Sequence, residues 1–191
     1  MMSIRKAEYG ANKMFIDRWS PRAMSGEKIS NDELMKLFEA ARWAPSSYNN
    51  QPWRFVYALR ETPQWQPLFD LLVDFNKQWC KNASALVVIA SKDIFEYNNK
   101  PSRTAQFDTG AAWMSLALQG FMKGLVVHGL EGFDYEKART VIRLPADHTI
   151  LAMCAIGHLG DTSVLPPDIA AKEIKSDRKP LDQFVFEATF K

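Results

Sequence analysis

The chain has 191 residues, a formal net charge of +2, 47% hydrophobic and 24% charged residues; this suits a globular protein and gives no electrostatic case for nucleic acid as a partner. Its two cysteines, Cys80 and Cys154, stand far apart without CxxC spacing, which argues against a disulfide framework and a zinc site and for a reducing compartment. No window approaches a membrane-spanning apolar run and the first residues hold no apolar leader, so a cytoplasmic protein without a membrane span is expected.

In chain order, the first pattern is RWSPR at residues 18–22, two arginines bracketing a serine. Ser30 with Glu33 forms a capping box, and Leu34, Leu37, Phe38 and Ala41 continue at helical spacing until Pro45 stops the helix. APSSYNNQPW, residues 44–53, cannot extend that helix: its prolines lack backbone donors, and Ser and Asn side chains compete for backbone hydrogen bonds. A stiff loop rich in donors and acceptors is expected, a place where a ligand's polar edge is commonly read. Residues 54–59 alternate as a strand. Thr62-Pro63 predicts a capped helix with Trp65, Leu68, Phe69, Leu72 and Phe75 on one stripe.

Residues 85–90 form a continuous apolar run, read as a buried strand. Residues 92–106 are polar and read as a loop or short helix with the character of a lid. Residues 104–123 predict a helix apolar on nearly every face, which calls for a central position or a subunit interface. Residues 125–127 begin a strand, Asp134 caps a helix over 135–142, and 149–156 read as a second buried strand. Pro166-Pro167 reads as a surface linker. The tail, residues 184–190, alternates apolar and polar like a strand without a partner. The expected class is α+β, a mixed sheet flanked by helices, in one domain over residues 1–191.

RWSPR, APSSYNNQPW, DTGAA (108–112), GLEGFD (129–134), AIGHLGD (155–161) and RKPL (178–181), in this order, resemble the FMN-dependent nitroreductase family over residues 17–187. The resemblance implies a homodimer with flavin sites shared between subunits, in which the tail, about residues 180–191, wraps the partner and completes its sheet. It implies FMN as cofactor and NADH or NADPH as transient electron donor. Hydride passes through flavin N5 to a nitroaromatic, a quinone or a similar electron-poor small molecule in a ping-pong mechanism.

The same resemblance assigns roles. Arg18 binds the FMN phosphate, Ser20 supports the ribityl–phosphate end, and Arg22 lies near flavin N1 and the C2 carbonyl. Chemistry agrees: a phosphate monoester carries roughly −1.5 to −2 at neutral pH, and Arg matches it bidentately. A cation near N1 favours reduced flavin. Arg178 closes on the phosphate and Lys179 assists. Pro45, Ser46, Ser47, Asn49 and Gln51 organise the isoalloxazine from the opposing subunit. Asn76 and Asp108 address its pyrimidine end, and the backbone of Glu131 and Gly132 approaches N5 and O4. The chain departs from the family pattern at Trp79, where some members have lysine, at Ser115, where many have asparagine, and at Ser176, where a basic residue is common. His128, His148 and His158 show no metal spacing and receive no catalytic role. No Gly-rich dinucleotide fingerprint occurs, so nicotinamide docks at the flavin. A non-catalytic flavin-binding or interaction protein on the same fold is the alternative, and reduction by NAD(P)H separates the two. A third reading, reductive dehalogenation or flavin fragmentation, needs specialised residues that 92–106 does not display.

Overall fold

Short local signals cut the chain into its elements. The computed structural model describes residues 5–190; the leader-free reading of residues 1–4 and the last tail residue, Lys191, lie outside them. Asn12 caps α1 (Lys13–Asp17), its side chain accepting from Met14 N at 2.9 Å. Ser30 opens α2 (Asn31–Arg42) with the expected reciprocal pair. Its hydroxyl accepts from Glu33 N at 3.1 Å, and the Glu33 carboxylate accepts from Ser30 N at 2.7 Å. The 44–52 loop leads into β1 (Trp53–Leu59).

The single helix expected from Thr62 is two, α3 (Trp65–Phe69) and α4 (Asp74–Cys80). Leu72 interrupts them by bridging to Phe133, so a tertiary pairing overrides the stripe. Gln64, not Thr62, stands at the cap, and the Thr62 hydroxyl donates to the Leu59 carbonyl at 2.7 Å. Then follow β2 (Ala85–Lys92), α5 (Ala105–Met122), β3 (Leu125–Leu130), α6 (Tyr135–Val141) and β4 (His148–His158). Asp134 caps α6 by accepting from Lys137 N at 2.9 Å. Pro166-Pro167, read from sequence as a linker, starts α7 (Pro167–Ala170), which buries Ile169.

The strands form one sheet in the order β1-β2-β4-β3. All its pairings are antiparallel among the described residues, where the sequence predicted a mixed sheet. The register of β2 on β4 shifts between Ile89 and Ala90. β2 is buried on both faces, which is why it reads as a continuous apolar run. Leu86, Val88 and Ala90 face one core with Trp65, Leu68, Trp79, Phe133 and Met153. Ala85, Val87 and Ile89 face the other with Leu34, Leu37, Ala112, Leu116 and Ile156. α5 packs closely on β3: a Cβ at Gly120 would lie 2.4 Å from Val127 Cγ2.

Only one face of α5 is covered within the protomer, by Ala105, Asp108, Thr109, Ala112, Leu116, Ala117 and Gly120. Phe107 and Met122 are 80% and 59% exposed, and Trp113, Met114, Leu118 and Phe121 are half-buried. The sequence alternatives for this helix therefore resolve to a one-sided burial with an open apolar face. The tail is not a strand in its own protomer: residues 184–190 pair with no sheet edge, and Phe184, Val185 and Phe190 are exposed.

Candidate active site

Two adjoining cavities share Arg22 and His128 in their walls. The first, about 320 Å³, is lined by Arg5, Arg18, Ser20, Glu173, Ser176 and Arg178, among others. Arg18 follows the last residue of α1, its N–H donating to the Met14 carbonyl at 3.1 Å. Its guanidinium donates to the Trp19 carbonyl at 3.2 Å and to Ser20 Oγ at 3.3 Å. Arg5 crosses behind it, donating to the carbonyls of Arg18 at 2.7 Å, Ile16 at 3.0 Å and Ser176 at 2.6 Å. Arg178 donates to the Asp177 carbonyl at 2.9 Å and to Ser176 Oγ at 3.2 Å.

Among the described residues neither Arg18 nor Arg178 forms an ion pair with a carboxylate. Burial lowers the Arg18 pKa, and the charges of Arg178 and Arg5 lower it further. Burial also lowers that of Arg5, with Arg178 adding to it and Asp177 opposing. Cations that raise one another's energy across a polar cavity are a site for an anion.

The second cavity, about 350 Å³, is lined by Val73, Phe75, Asn76, Trp79, Leu130, Glu131 and Gly132 as well as the two shared residues. Asn76 is buried and its side chain is engaged internally. Nδ2 donates to the Gly132 carbonyl at 2.9 Å, and Oδ1 accepts from Trp79 Nε1 at 3.1 Å. It holds the Glu131–Gly132 turn, and of its amide only one N–H and one oxygen lone pair remain for a ligand. Gly132 is required by close approach: a Cβ there would lie 2.6 Å from Asn76 Nδ2 and 3.0 Å from Val73 Cγ2.

His128 sits at the junction. Its ring packs on Trp79 with centroids 4.6 Å apart, and Nδ1 lies 2.8 Å from the Pro21 carbonyl. A carbonyl can only accept, so Nδ1 carries the proton and Nε2 of the neutral ring is an acceptor. Burial lowers the His128 pKa, the Pro21 hydrogen bond opposes this, and Arg22 lowers it further.

The 44–52 loop lines neither cavity of its own protomer. Ser47–Asn49 form one 3₁₀ turn, and Tyr48, Asn49 and Gln51 hold left-handed φ of 52°, 52° and 49°. Each left-handed non-glycine costs about 1 kcal/mol, so the surroundings must hold the loop in place. They do so through Ser46 Oγ, which accepts from Gln51 N at 3.0 Å, and through Asp108, which accepts from Ser47 N at 3.0 Å and from the Thr104 hydroxyl at 3.1 Å. Asp108 thus lies with Ser46 and Ser47 and does not line the cavity of Asn76. Asn50 ties the loop to 94–96, accepting from Glu96 N at 3.0 Å and donating to the Ile94 carbonyl at 3.2 Å. The 92–106 segment is itself closed by an Ile94–Pro101 bridge and carries Phe95 and Tyr97 against Tyr48. Lys179 does not line the arginine cavity; it lies in an adjoining groove with Lys6 and Glu8, which shares Arg178 with that cavity.

The family model for the nitroreductase family matches residues 16–158. The chain belongs to the nitroreductase family. It is 29% identical over 159 residues to protein DrgA of Synechocystis, covering 68% of this chain and 74% of that one. A shorter match, 44% over 63 residues, joins it to an oxygen-insensitive NADPH nitroreductase of Helicobacter acinonychis, covering 33% of this chain and 29% of that one. A crystal structure of an oxidoreductase containing FMN superposes with a TM-score of 0.94 at 41% identity, over 100% of this chain and 98% of the other.

Within this family member, the residues brought together from the sequence reading are Arg18, Ser20, Arg22 and Arg178 in one cavity, and Asn76, Glu131 and Gly132 with Arg22 in the other. Pro45, Ser46, Ser47, Asn49, Gln51 and Asp108 form a separate group. Arg5, His128 and Glu173 were not legible as site residues. Arg5 belongs to no motif, Glu173 is some 150 positions from the backbone it grips, and His128 looks like any strand residue.

Proposed function

We propose that this protein is an FMN-dependent, NAD(P)H-linked oxidoreductase acting on nitroaromatics, quinones or similar electron-poor small molecules. The observation that carries it is the pair of cavities: a cationic one built from Arg18, Ser20 and Arg178, joined through Arg22 and His128 to one walled by Val73, Phe75 and Leu130. An elongated ligand with a dianionic end and a flat, partly apolar end suits that arrangement, and FMN is such a ligand. The fit is supported by the FMN-containing relative that aligns over the whole chain.

Bound FMN would supply two-electron redox chemistry at N5 between NADH or NADPH and the acceptor, in ping-pong order. The chain's own residues bind and orient. Arg18 and Arg178 would neutralise the phosphate, and Ser20 would support the adjoining polar chain. Arg22 would place positive charge toward N1. The Asn76–Gly132 hydrogen bond holds the Glu131–Gly132 backbone, which would approach N5 and O4. Val73 and Phe75 would cover the apolar end.

The working unit is a homodimer with shared sites. The open face of α5 around Phe107 and Met122 supports this, as do the uncovered tail phenylalanines and a 44–52 loop held rigid away from its own cavities. Chain 1–191 then acts as one domain whose tail, about 180–191, covers the partner. The test is direct. The purified protein should carry FMN, absorb as oxidised flavin, and bleach anaerobically with NADH or NADPH. Bound flavin that neither nicotinamide reduces would favour a non-catalytic flavin-binding protein; absence of FMN binding would end the proposal.

A further inference from the structure

Glu173 is a buried carboxylate in the wall of a cavity otherwise dominated by arginines. Its side chain is 2% exposed, against 30% for Arg22. Oε1 accepts from two consecutive backbone donors, Arg22 N and, at 2.8 Å, Ala23 N. Oε2 is buried and has no hydrogen-bond partner among the described residues. The cation beside it is Arg22, whose Nη1 lies 3.7 Å from Oε2, within ion-pair range but beyond a hydrogen bond. A buried carboxylate with one oxygen left without a donor is costly unless charge compensates it. Here the compensation comes from Arg22, and the interaction is mutual: the carboxylate cancels part of the field that Arg22 projects into the cavity.

We infer that Glu173 is the counter-charge of Arg22, a positioning residue that holds the Arg22 backbone and keeps the reduction potential of a flavin at this site lower than Arg22 alone would set it. The inference rests on the placement of FMN proposed above. Positive charge near N1 favours reduced flavin, and a fixed negative charge behind it works against that preference. The two roles of Glu173 predict opposite signs. If it only anchored the backbone, its loss would free Arg22 to leave the flavin, and the potential would fall. If it is the counter-charge, neutralising it strengthens the field of Arg22, and the potential rises.

Glu173→Gln separates these. The amide oxygen still accepts from Arg22 N and Ala23 N, while the charge is gone. The expected result is a rise of about tenfold in the equilibrium constant for two-electron reduction, about 30 mV for that couple. Potentiometry with FMN-loaded wild type and variant reads it, with thermal melts to confirm folding. Should the glutamine variant not fold, Glu173→Asp draws the carboxylate back from Arg22 by one methylene and weakens its grip on the Arg22 and Ala23 N–H groups as well; the counter-charge role predicts a net rise in potential, smaller than that of the glutamine variant and opposite in sign to the fall that a weakened grip alone would give. A potential that is unchanged or lower with FMN bound overturns the counter-charge role and leaves the proposed function standing. Wild type that binds no FMN defeats the proposed function, and this inference with it.

Discussion

Arg18→Ala should weaken FMN binding without weakening the protein that lacks FMN. Arg18 is half-buried, and burial together with Arg178 and Arg5 lowers its pKa, so its charged form is held at a cost that an anion relieves. Its own hydrogen bonds, to the Trp19 carbonyl at 3.2 Å and Ser20 Oγ at 3.3 Å, are long and contribute little. A charge-assisted contact to phosphate contributes about 1.5–3 kcal/mol. Its removal should therefore raise the FMN dissociation constant roughly 10- to 150-fold. Truncation also removes a like charge from beside Arg178 and Arg5, so the melting temperature without FMN should stay level or rise, most clearly at low salt where screening is weak. Fluorescence titration of FMN and paired melts with and without FMN measure both effects. A variant with unchanged FMN affinity and a much lower FMN-free melting temperature would make Arg18 structural and refute the anion cradle.

Asn76→Ala leaves Trp79 Nε1 without its partner and the Gly132 carbonyl with the Val73 N–H alone. The stability loss should be about 1–3 kcal/mol by denaturant melts, with weaker FMN binding, and no loss in either measure would contradict the anchoring role. Arg22→Ala should lower the flavin midpoint potential more than it lowers FMN affinity; potentiometry showing no change would remove its role near N1. For His128 the folded pKa lies below the unfolded value, so the unfolded chain binds more protons as pH falls through about 6.5. The contribution of neutral His128 should be complete above that pH and decline below it, and His128→Gln should flatten the fall between about pH 7 and 5 in melts at stepped pH. Deleting residues 184–191 should cost the dimer and its FMN and leave an aggregation-prone protein, because the partners of Phe184, Phe186 and Phe190 lose their cover. Sedimentation of a stable, yellow monomer by the intact chain would rule the shared site out.

Local chemistry was legible in the chain itself. The Ser30–Glu33 box, Asp134 as a cap and the continuous apolar run of β2 follow from hydrogen bonds and burial within a few residues, and each appears where the pattern places it. The motif order was enough to point to the family. The helix expected over 65–75 failed because Leu72 pairs with Phe133, a contact across some sixty residues that no local stripe encodes. The strand expected in the tail pairs with neither edge strand of the sheet, β1 or β3, and a strand is made by its neighbour and not by alternation alone. At the site, the sequence supplied Arg18 and Arg178 as residue types suited to a phosphate, Arg22 as a cation for the N1 end of a flavin, and Gly132 for a close backbone approach. Only the tertiary structure decided that Arg5 braces that cradle and that Asp108 holds the 44–52 loop. It also decided that Asn76 is committed to Gly132 and Trp79, and that Glu173 stands behind Arg22. These are hydrogen bonds and charge pairs closed by folding between distant segments, and their energies come from burial that no single segment of the chain possesses.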